Sequence, residues 1–289
     1  MTTKIQYSTL AEQKDHIKVL WYGRGGSGKT TAALQLANIG PVLVINAEDG
    51  VKRNALTQRG VNTDNVRIYD GDLSYRALTD LAWEIRTDLM NDPDAWTGIV
   101  IDSVTEIQKI LLDSIVEQAV EKADRKGMDR EAAFIDRADY GVMTEQMRKI
   151  IRLYRDLPCS VGFTALERRD QDDDGLVERG PALTPALQND LVGWVDMVIH
   201  TELRTTDEHA DYIGITRPKG TYTAKDRMGV LPIAMVNPGF DRVLAYVEGA
   251  ITLDTDQDRA EMKKRLARNT AKKIKTDTPQ EDGTADNSK

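Results

Sequence analysis

The chain has 289 residues, of which 40% are hydrophobic and 30% are charged, and its formal net charge is −8. This composition is typical of a globular protein, and the acidic balance argues against a protein that is covered in nucleic acid over its whole surface. The single cysteine, Cys159, excludes a disulfide framework within the chain and fits a reducing cytoplasm. No run of about 18 apolar residues occurs, so we predict neither secretion nor membrane insertion.

The first strong pattern is a glycine-rich segment, Gly23–Thr30, with the sequence GRGGSGKT. It follows an apolar run, 17–22, and precedes a predicted helix, 29–39. This order is that of a P-loop, in which backbone N–H groups surround phosphate oxygens, Lys29 reaches the β- and γ-phosphates and the Thr30 hydroxyl binds Mg²⁺. We therefore predict a nucleoside triphosphate site that contains Gly23, Gly25, Gly26, Ser27, Gly28, Lys29, Thr30 and Thr31.

Short β-branched runs and helical patterns alternate after the P-loop, which predicts a mostly parallel sheet covered by helices on both faces. The predicted strands are 42–45, 66–69, 99–101 and 160–165, and the predicted helices are 73–89, 104–119 and 143–154. A charged hairpin is predicted at 167–180, with its turn at Asp174-Gly175. The later strand-like runs, 195–203, 212–217 and 243–247, have no long helices between them, so we expect antiparallel strands at the end of the sheet.

The ends of the chain differ from its core in composition. We expect an N-terminal segment at 1–14 and an ATPase core at 15–250. Residues 251–275 are predicted to carry a basic helix, because the range 259–275 contains many Lys and Arg residues and a single acid, Glu261. The last segment, 276–289, is polar and is predicted to be disordered.

Two acidic residues follow predicted strands. Asp102 ends the strand 99–101, so we predict that it holds Mg²⁺ together with Thr30. The next residue is Ser103 rather than an acid, so the base that activates water must come from elsewhere in the chain. Glu48 follows the strand 42–45 at the edge where open α/β sheets bind ligands, and it is the preferred base. Asp49, or an acid in an N-terminal helix or turn, is the alternative.

These motifs together resemble the RecA-like recombinase ATPases, in which the base lies on the early strand that ends here in Ala47-Glu48. Later segments, including Asp139-Tyr140-Gly141, Trp194-Val195-Asp196 and Ala224-Lys225-Asp226-Arg227, are similar to a phage-encoded branch of that superfamily. The resemblance implies an α/β, RecA-like P-loop NTPase fold with a mostly parallel central sheet flanked by helices. It also implies Mg²⁺ and ATP as cofactors, ATP hydrolysis stimulated by DNA, and action on single-stranded DNA in phage recombination, annealing or replication in the host cytoplasm.

The same resemblance implies two loops that face DNA. By position these are 121–139 and 166–191, with Arg168, Arg169 and Arg179 as phosphate contacts. The aromatic residues available for base stacking near the loops are Phe134, Tyr140 and Trp194. Both loops are rich in acids, so solvated charged loops are an equal alternative. The basic helix at 263–275 is a rival DNA contact.

The resemblance also implies self-association, with ATP between subunits, and a single-strand-binding protein as a further partner. Lys225 and Arg227 are then candidates for cations donated to a neighbour's γ-phosphate, with Arg217 and Lys219 as competitors. An ordinary surface pair is the alternative. Thr164, at the end of its strand, is a candidate sensor of the γ-phosphate.

Three other functions remain open at this point. They are a helicase-like or packaging motor, a nucleotide-gated binding module with little turnover, and a small-molecule kinase, which the lack of an Arg-rich lid disfavours. The segment from Asp170 to Gly175 begins like an EF-hand, but Pro181 stands where a bidentate Glu is needed, so we predict no calcium site. The three histidines, His16, His200 and His209, are scattered, so we predict no zinc site.

Overall fold

A computed structural model describes residues 15–128, 131, 134–171, 177–205, 210–218 and 220–253. Within them, one sheet contains the strands β1 (Lys18–Gly23), β2 (Val42–Asn46), β3 (Val66–Tyr69), β4 (Gly98–Asp102), β5 (Ser160–Gln171), β6 (Val177–Pro181), β7 (Met197–Thr205), β8 (Ala210–Ile215), β9 (Lys225–Asp226) and β10 (Ala234–Val236). The α-helices are α1 (Lys29–Leu34), α2 (Arg53–Gln58), α3 (Tyr75–Asn91), α4 (Val104–Asp124), α5 (Arg137–Arg155), α6 (Pro185–Trp194) and α7 (Phe240–Val247). Short 3₁₀ helices occupy Gln35–Asn38 and Thr63–Asn65.

The central strands are parallel and the later ones are antiparallel. The strand order is β10-β8-β7-β1-β5-β4-β2-β3, with β6 on β5 and β9 on β7. The pairs from β7 through β1, β5, β4 and β2 to β3 are parallel, whereas β8, β9, β10 and β6 join the sheet antiparallel. The α/β fold with a mostly parallel sheet and antiparallel C-terminal strands is confirmed.

The continuous apolar strands are buried because helices cover both faces of the sheet. Successive side chains of β1 point to opposite faces. Leu20 and Tyr22 lie in a core that contains residues of α3, α4, α5 and α6. Val19 and Trp21 lie in a second core, against α1 and α7. Every residue of β1 and β4 is buried, which is why their sequences do not alternate between apolar and polar.

The predicted strand at 243–247 is wrong, because this segment belongs to helix α7. Its Val, Leu and Tyr residues have high strand propensity, but the apolar positions Phe240, Val243, Leu244 and Val247 are spaced as on one helix face. Phe240 is fully buried and its ring lies 5.1 Å from that of Trp21, edge to face. Packing against β1 therefore outweighs local propensity.

The two segments predicted as long loops are partly helical. Helix α4 continues to Asp124 and α5 begins at Arg137, so the first connection is shorter than 121–139. Helix α6 lies within the second segment, 166–191, and begins with Pro185, a residue favoured in the first helical turn. The turn at Asp174-Gly175, the N-terminal segment, the basic helix and the C-terminal tail lie outside the described residues. In the ranges that the structure covers, no helix has the length and apolar character needed to cross a membrane.

We expect Phe240→Ala to lower the free energy of unfolding by about 3–5 kcal/mol, because it removes a buried aromatic ring and leaves a cavity beside Trp21. Urea denaturation followed by tryptophan fluorescence measures this change. Ile233→Ala is the control, because Ile233 is 57% exposed, and we expect a change within about 0.5 kcal/mol. Equal effects of the two substitutions would show that α7 does not pack on β1.

Candidate nucleotide-binding site

The glycine loop between β1 and α1 is shaped to surround an anion. Gly26 and Gly28 have φ angles of 75° and 88°, a region that residues with side chains rarely adopt. Gly25 and Gly26 are exposed, and a Cβ built on either would meet no atom within 4 Å. Lys29 Nζ donates hydrogen bonds to the Gly23 carbonyl at 3.1 Å and to the Arg24 carbonyl at 3.0 Å. The ammonium group therefore lies within the loop, where phosphate oxygens bind in P-loops.

Lys29 is buried and surrounded by acids. Burial lowers the pKa of Lys29, and the carboxylates of Glu48, Asp102 and Glu167 oppose that shift. Three acids thus act on one lysine: Glu48 in the turn after β2, Asp102 at the end of β4 and Glu167 within β5. The structure brings together Lys29, Asp102 and Glu48, which the sequence placed in one site, and it adds Glu167.

Asp102 is held by hydroxyl groups from two other elements. Thr30 Oγ1 donates to Asp102 Oδ2 at 2.8 Å, and the Thr164 hydroxyl donates to Asp102 Oδ1. Asp102 is fully buried, and this burial raises its pKa, against the effect of the two hydrogen bonds. A buried carboxylate without an ion pair among the described residues is destabilised until a cation reaches it. Thr164 therefore contacts the predicted metal ligand, on the side opposite Thr30.

The oxygen atoms of Thr30 and Asp102 fit a magnesium ion. Mg²⁺ binds proteins through a few oxygen ligands and takes the others from water and from substrate phosphates. The described residues contain no group of three or more His, Cys, Asp or Glu side chains arranged to hold a metal. Thr30 and Asp102 would hold the ion, which would neutralise charge on the phosphates.

Glu48 lies beside Asp102 because the turn after β2 is hydrogen-bonded to the end of β4. The backbone N–H groups of Ala47 and Glu48 donate to the Asp102 carbonyl at 2.7 and 3.2 Å. The Ser103 hydroxyl donates to Glu48 Oε1. The alternative base, Asp49, faces away from the site: its side chain is 88% exposed and pairs with Lys52 at 3.2 Å.

A buried polar cluster next to the P-loop was missed by the sequence analysis. The Glu167 side chain is 4% exposed, and its Oε2 lies 2.9 Å from His200 Nε2. The His200 ring lies 4.3 Å from Tyr222 and 5.0 Å from Tyr22. Burial lowers the pKa of His200, and the hydrogen bond that Glu167 accepts from the imidazole opposes that shift. Both residues looked unremarkable in sequence. Glu167 lies within β5 and His200 lies within β7, and these strands flank β1, so strand pairing brings the two side chains together beside the end of β1.

The arginines predicted to contact DNA phosphates lie at the base of the β5–β6 hairpin and have acidic partners there. Arg168 Nε donates to Asp170 Oδ1 at 2.7 Å, and Arg169 Nε donates to Glu167 Oε1 at 2.9 Å. Arg179 NH1 lies 3.7 Å from Glu167 Oε1. The hairpin is thus linked to the acid that also affects Lys29.

The two predicted finger residues have partners within the chain. Lys225 Nζ donates to the carbonyls of Val192, Gly193 and Val195 at 2.9, 3.0 and 2.7 Å, at the end of α6. Arg227 NH1 donates to Asp196 Oδ1 at 3.0 Å. A role in a neighbour's site would require these bonds to break, and it stays a prediction. Of their competitors, Arg217 donates to the Gly229 carbonyl at 2.9 Å, and Lys219 lies outside the described residues.

Most of the chain matches a known protein family. Residues 15–228 match the family model described as AAA domain, and the match covers more than half of the chain. The chain therefore belongs to this AAA domain family, a class of P-loop nucleotide-binding ATPases. A search of curated proteins found no match.

We expect Asp102→Asn to stabilise the nucleotide-free protein. Because burial raises the pKa of Asp102, its charged form costs stability as pH rises through its unfolded and folded pKa values, and Asn removes that cost. A gain of about 1 kcal/mol would raise Tm by roughly 2–4 °C in a protein of this size. Calorimetry at pH 7 without Mg²⁺ measures it.

In saturating Mg²⁺ and ATP, we expect Asp102→Asn to be less stable than wild type instead of more stable. A ligand at about 100 times its Kd adds about 2.7 kcal/mol to wild type, and Asp102→Asn should lose most of this gain because it removes a metal ligand. Asp88→Asn, at an exposed position on α3, is the control and should match wild type in both conditions. An Asp102→Asn protein that is less stable than wild type without ligand would contradict the account of a destabilised buried carboxylate.

Proposed function

We propose that this protein hydrolyses ATP with Mg²⁺ and acts on single-stranded DNA, in phage recombination, annealing or replication in the host cytoplasm. The observation that carries the proposal is the pair of acids at the carboxyl ends of adjacent strands. Asp102, after β4, is bound to the P-loop hydroxyl of Thr30, and Glu48, after β2, is bound to Ser103. The first suits a metal ligand and the second suits a base.

The side chains divide the work of hydrolysis as follows. Lys29 and the loop N–H groups bind the β- and γ-phosphates and stabilise the charge that develops on them. Ser103 holds Glu48 Oε1, and Glu48 Oε2 has no hydrogen-bond partner among the described residues. That oxygen can accept a hydrogen bond from water, orient it, and take its proton as the water oxygen bonds to the γ-phosphorus and the bond to the β-phosphate oxygen breaks.

We expect Glu48→Gln to lower the ATPase kcat by about 100-fold or more, because general base catalysis contributes about 10²–10⁴-fold. The Kd for ATP should stay within about threefold of wild type, because Glu48 binds water rather than phosphate. Phosphate release and isothermal calorimetry measure the two quantities.

Asp49→Asn is the matched control, because it removes the same charge one residue along, from a side chain that faces solvent. It should keep wild-type turnover. If Glu48→Gln hydrolyses ATP at the wild-type rate, Glu48 is not the base, and a nucleotide-gated binding module becomes the better interpretation of the site.

The proposal that the protein binds single-stranded DNA is supported by exposed residues at and near the connection between α4 and α5. Phe134 is 62% exposed and Met128 is 63% exposed. Both line a shallow cavity together with the exposed Lys122 and Lys126 and with the acids Glu131 and Asp136. An exposed aromatic ring beside lysines can stack a base while the lysines contact phosphates.

We expect single-stranded DNA to raise the ATPase rate, and Phe134→Ala to weaken DNA binding by about tenfold, because one stacked base contributes about 1–3 kcal/mol. Fluorescence anisotropy with labelled oligonucleotides measures the affinity. Trp83→Ala is the control, since Trp83 is an exposed aromatic residue on α3 and is 56% accessible. No stimulation by any DNA would reject the proposed substrate, whereas movement along duplex DNA would favour a motor.

We further propose that the protein self-associates with ATP between subunits, where Lys225 and Arg227 would come from the neighbour, and that it works with a single-strand-binding protein. Gly25 and Gly26 are exposed in the loop that follows β1, and this exposure supports an interface there.

A further inference from the structure

A ring and a guanidinium group meet beside the phosphate-binding loop. A Cβ built on Gly28 would lie 2.6 Å from Cδ1 of Tyr212, so the Tyr212 ring packs directly on the backbone of the P-loop. The guanidinium carbon of Arg59 lies 4.1 Å from the centre of that ring, and the same group donates a hydrogen bond to the Tyr212 hydroxyl. Neither residue takes part in the chemistry described above.

The two side chains come from elements on either side of β1 in the strand order, and they meet beside α1. Tyr212 lies on β8, whereas Arg59 follows α2 and therefore β2, and β1 lies between β8 and β2 in the strand order. The Arg59 carbonyl accepts a hydrogen bond from Gln35 Nε2 at 3.4 Å, just after α1. The stacked pair thus lies next to the helix whose first turn carries Lys29 and Thr30.

The charge of Arg59 has no acidic partner within the part of the chain that the structure describes. Arg59 is exposed, and among the residues that the structure describes no carboxylate lies within ion-pair distance of it. Tyr212 is half-buried and presents its ring to Arg59. The pair therefore offers flat π surfaces and one positive charge immediately beside a triphosphate site. Aromatic rings and guanidinium planes are the groups on which nucleobases stack.

We propose that Tyr212 and Arg59 form the nucleobase subsite of the nucleotide site. The inference rests on the proposed function, because it needs a triphosphate bound at Lys29. The base stacks on the Tyr212 ring, and Arg59 moves from the ring to cover the base. This contact uses the π face that every base has and no hydrogen bond to a base edge, so the subsite does not discriminate among nucleobases.

The test compares Mg-ATP with magnesium tripolyphosphate, which has the phosphates but no base. Calorimetry gives the Kd of each for wild type, Tyr212→Leu, Tyr212→Phe and Arg59→Ala. We expect Tyr212→Leu and Arg59→Ala to weaken ATP binding by about 5- to 100-fold, the range for the loss of one stacked base. Tripolyphosphate binding should change less than about twofold, and Tyr212→Phe should stay close to wild type for both ligands, because stacking depends on the ring.

Two controls separate the possible failures. Arg53→Ala removes an exposed arginine from the start of the same helix, and it should bind ATP as wild type does. Lys29→Ala should weaken ATP and tripolyphosphate alike. If wild type binds neither ligand, the proposed function fails. If ATP binding depends on Lys29 but is unchanged in Tyr212→Leu and Arg59→Ala, the nucleobase subsite is wrong.

Equal weakening of both ligands in Arg59→Ala would also overturn the inference, because it would make Arg59 a phosphate ligand. Circular dichroism and Tm check that each variant folds. If Tyr212→Leu fails to fold, the Kd values of Arg59→Ala for ATP and tripolyphosphate test the inference alone. Arg59 is exposed, so its substitution leaves the core intact.

Discussion

The hydrogen bond from Thr30 to Asp102, 2.8 Å long, joins the start of α1 to the end of β4 across the intervening strand β5. This hydrogen bond fixes the distance between the phosphate-binding loop and the buried carboxylate. Other residues of the site contact Asp102. Thr164 on β5 contacts the other carboxylate oxygen, and the turn that carries Glu48 is bonded to the Asp102 carbonyl. A buried carboxylate that has no ion pair among the described residues is destabilised, and it suits a site that is completed by a cation.

Much of this arrangement could be predicted from sequence because the relevant signals are local. The P-loop is a continuous segment whose sequence motif predicts its backbone conformation. Buried parallel strands can be recognised as continuous apolar runs. The carboxyl ends of parallel strands meet at one edge, so Asp102 and Glu48 could be assigned to the same site before their contacts were known. The antiparallel end of the sheet followed from the short spacing of the later strands.

The rest depends on contacts between distant residues, which sequence patterns do not show. Helix α7 was mistaken for a strand because its role is to cover Trp21, some 220 residues earlier in the chain. The cluster of Glu167 and His200 requires the pairing of β5 and β7 with β1, and the contact of Arg59 with Tyr212 joins the end of α2 to β8. These side chains lie next to the P-loop, but the P-loop sequence does not predict them. They form the surroundings of the nucleotide outside its phosphate groups.

The central claim is that two acids on adjacent strands divide metal binding and water activation. A crystal structure with Mg²⁺, ADP and aluminium fluoride, which imitates the γ-phosphate during attack by water, tests it most directly. The account predicts Mg²⁺ at the Thr30 hydroxyl and next to Asp102, with the attacking water hydrogen-bonded to Glu48. A complex in which Glu48 does not contact that water, or in which the metal lies away from Asp102, would contradict it.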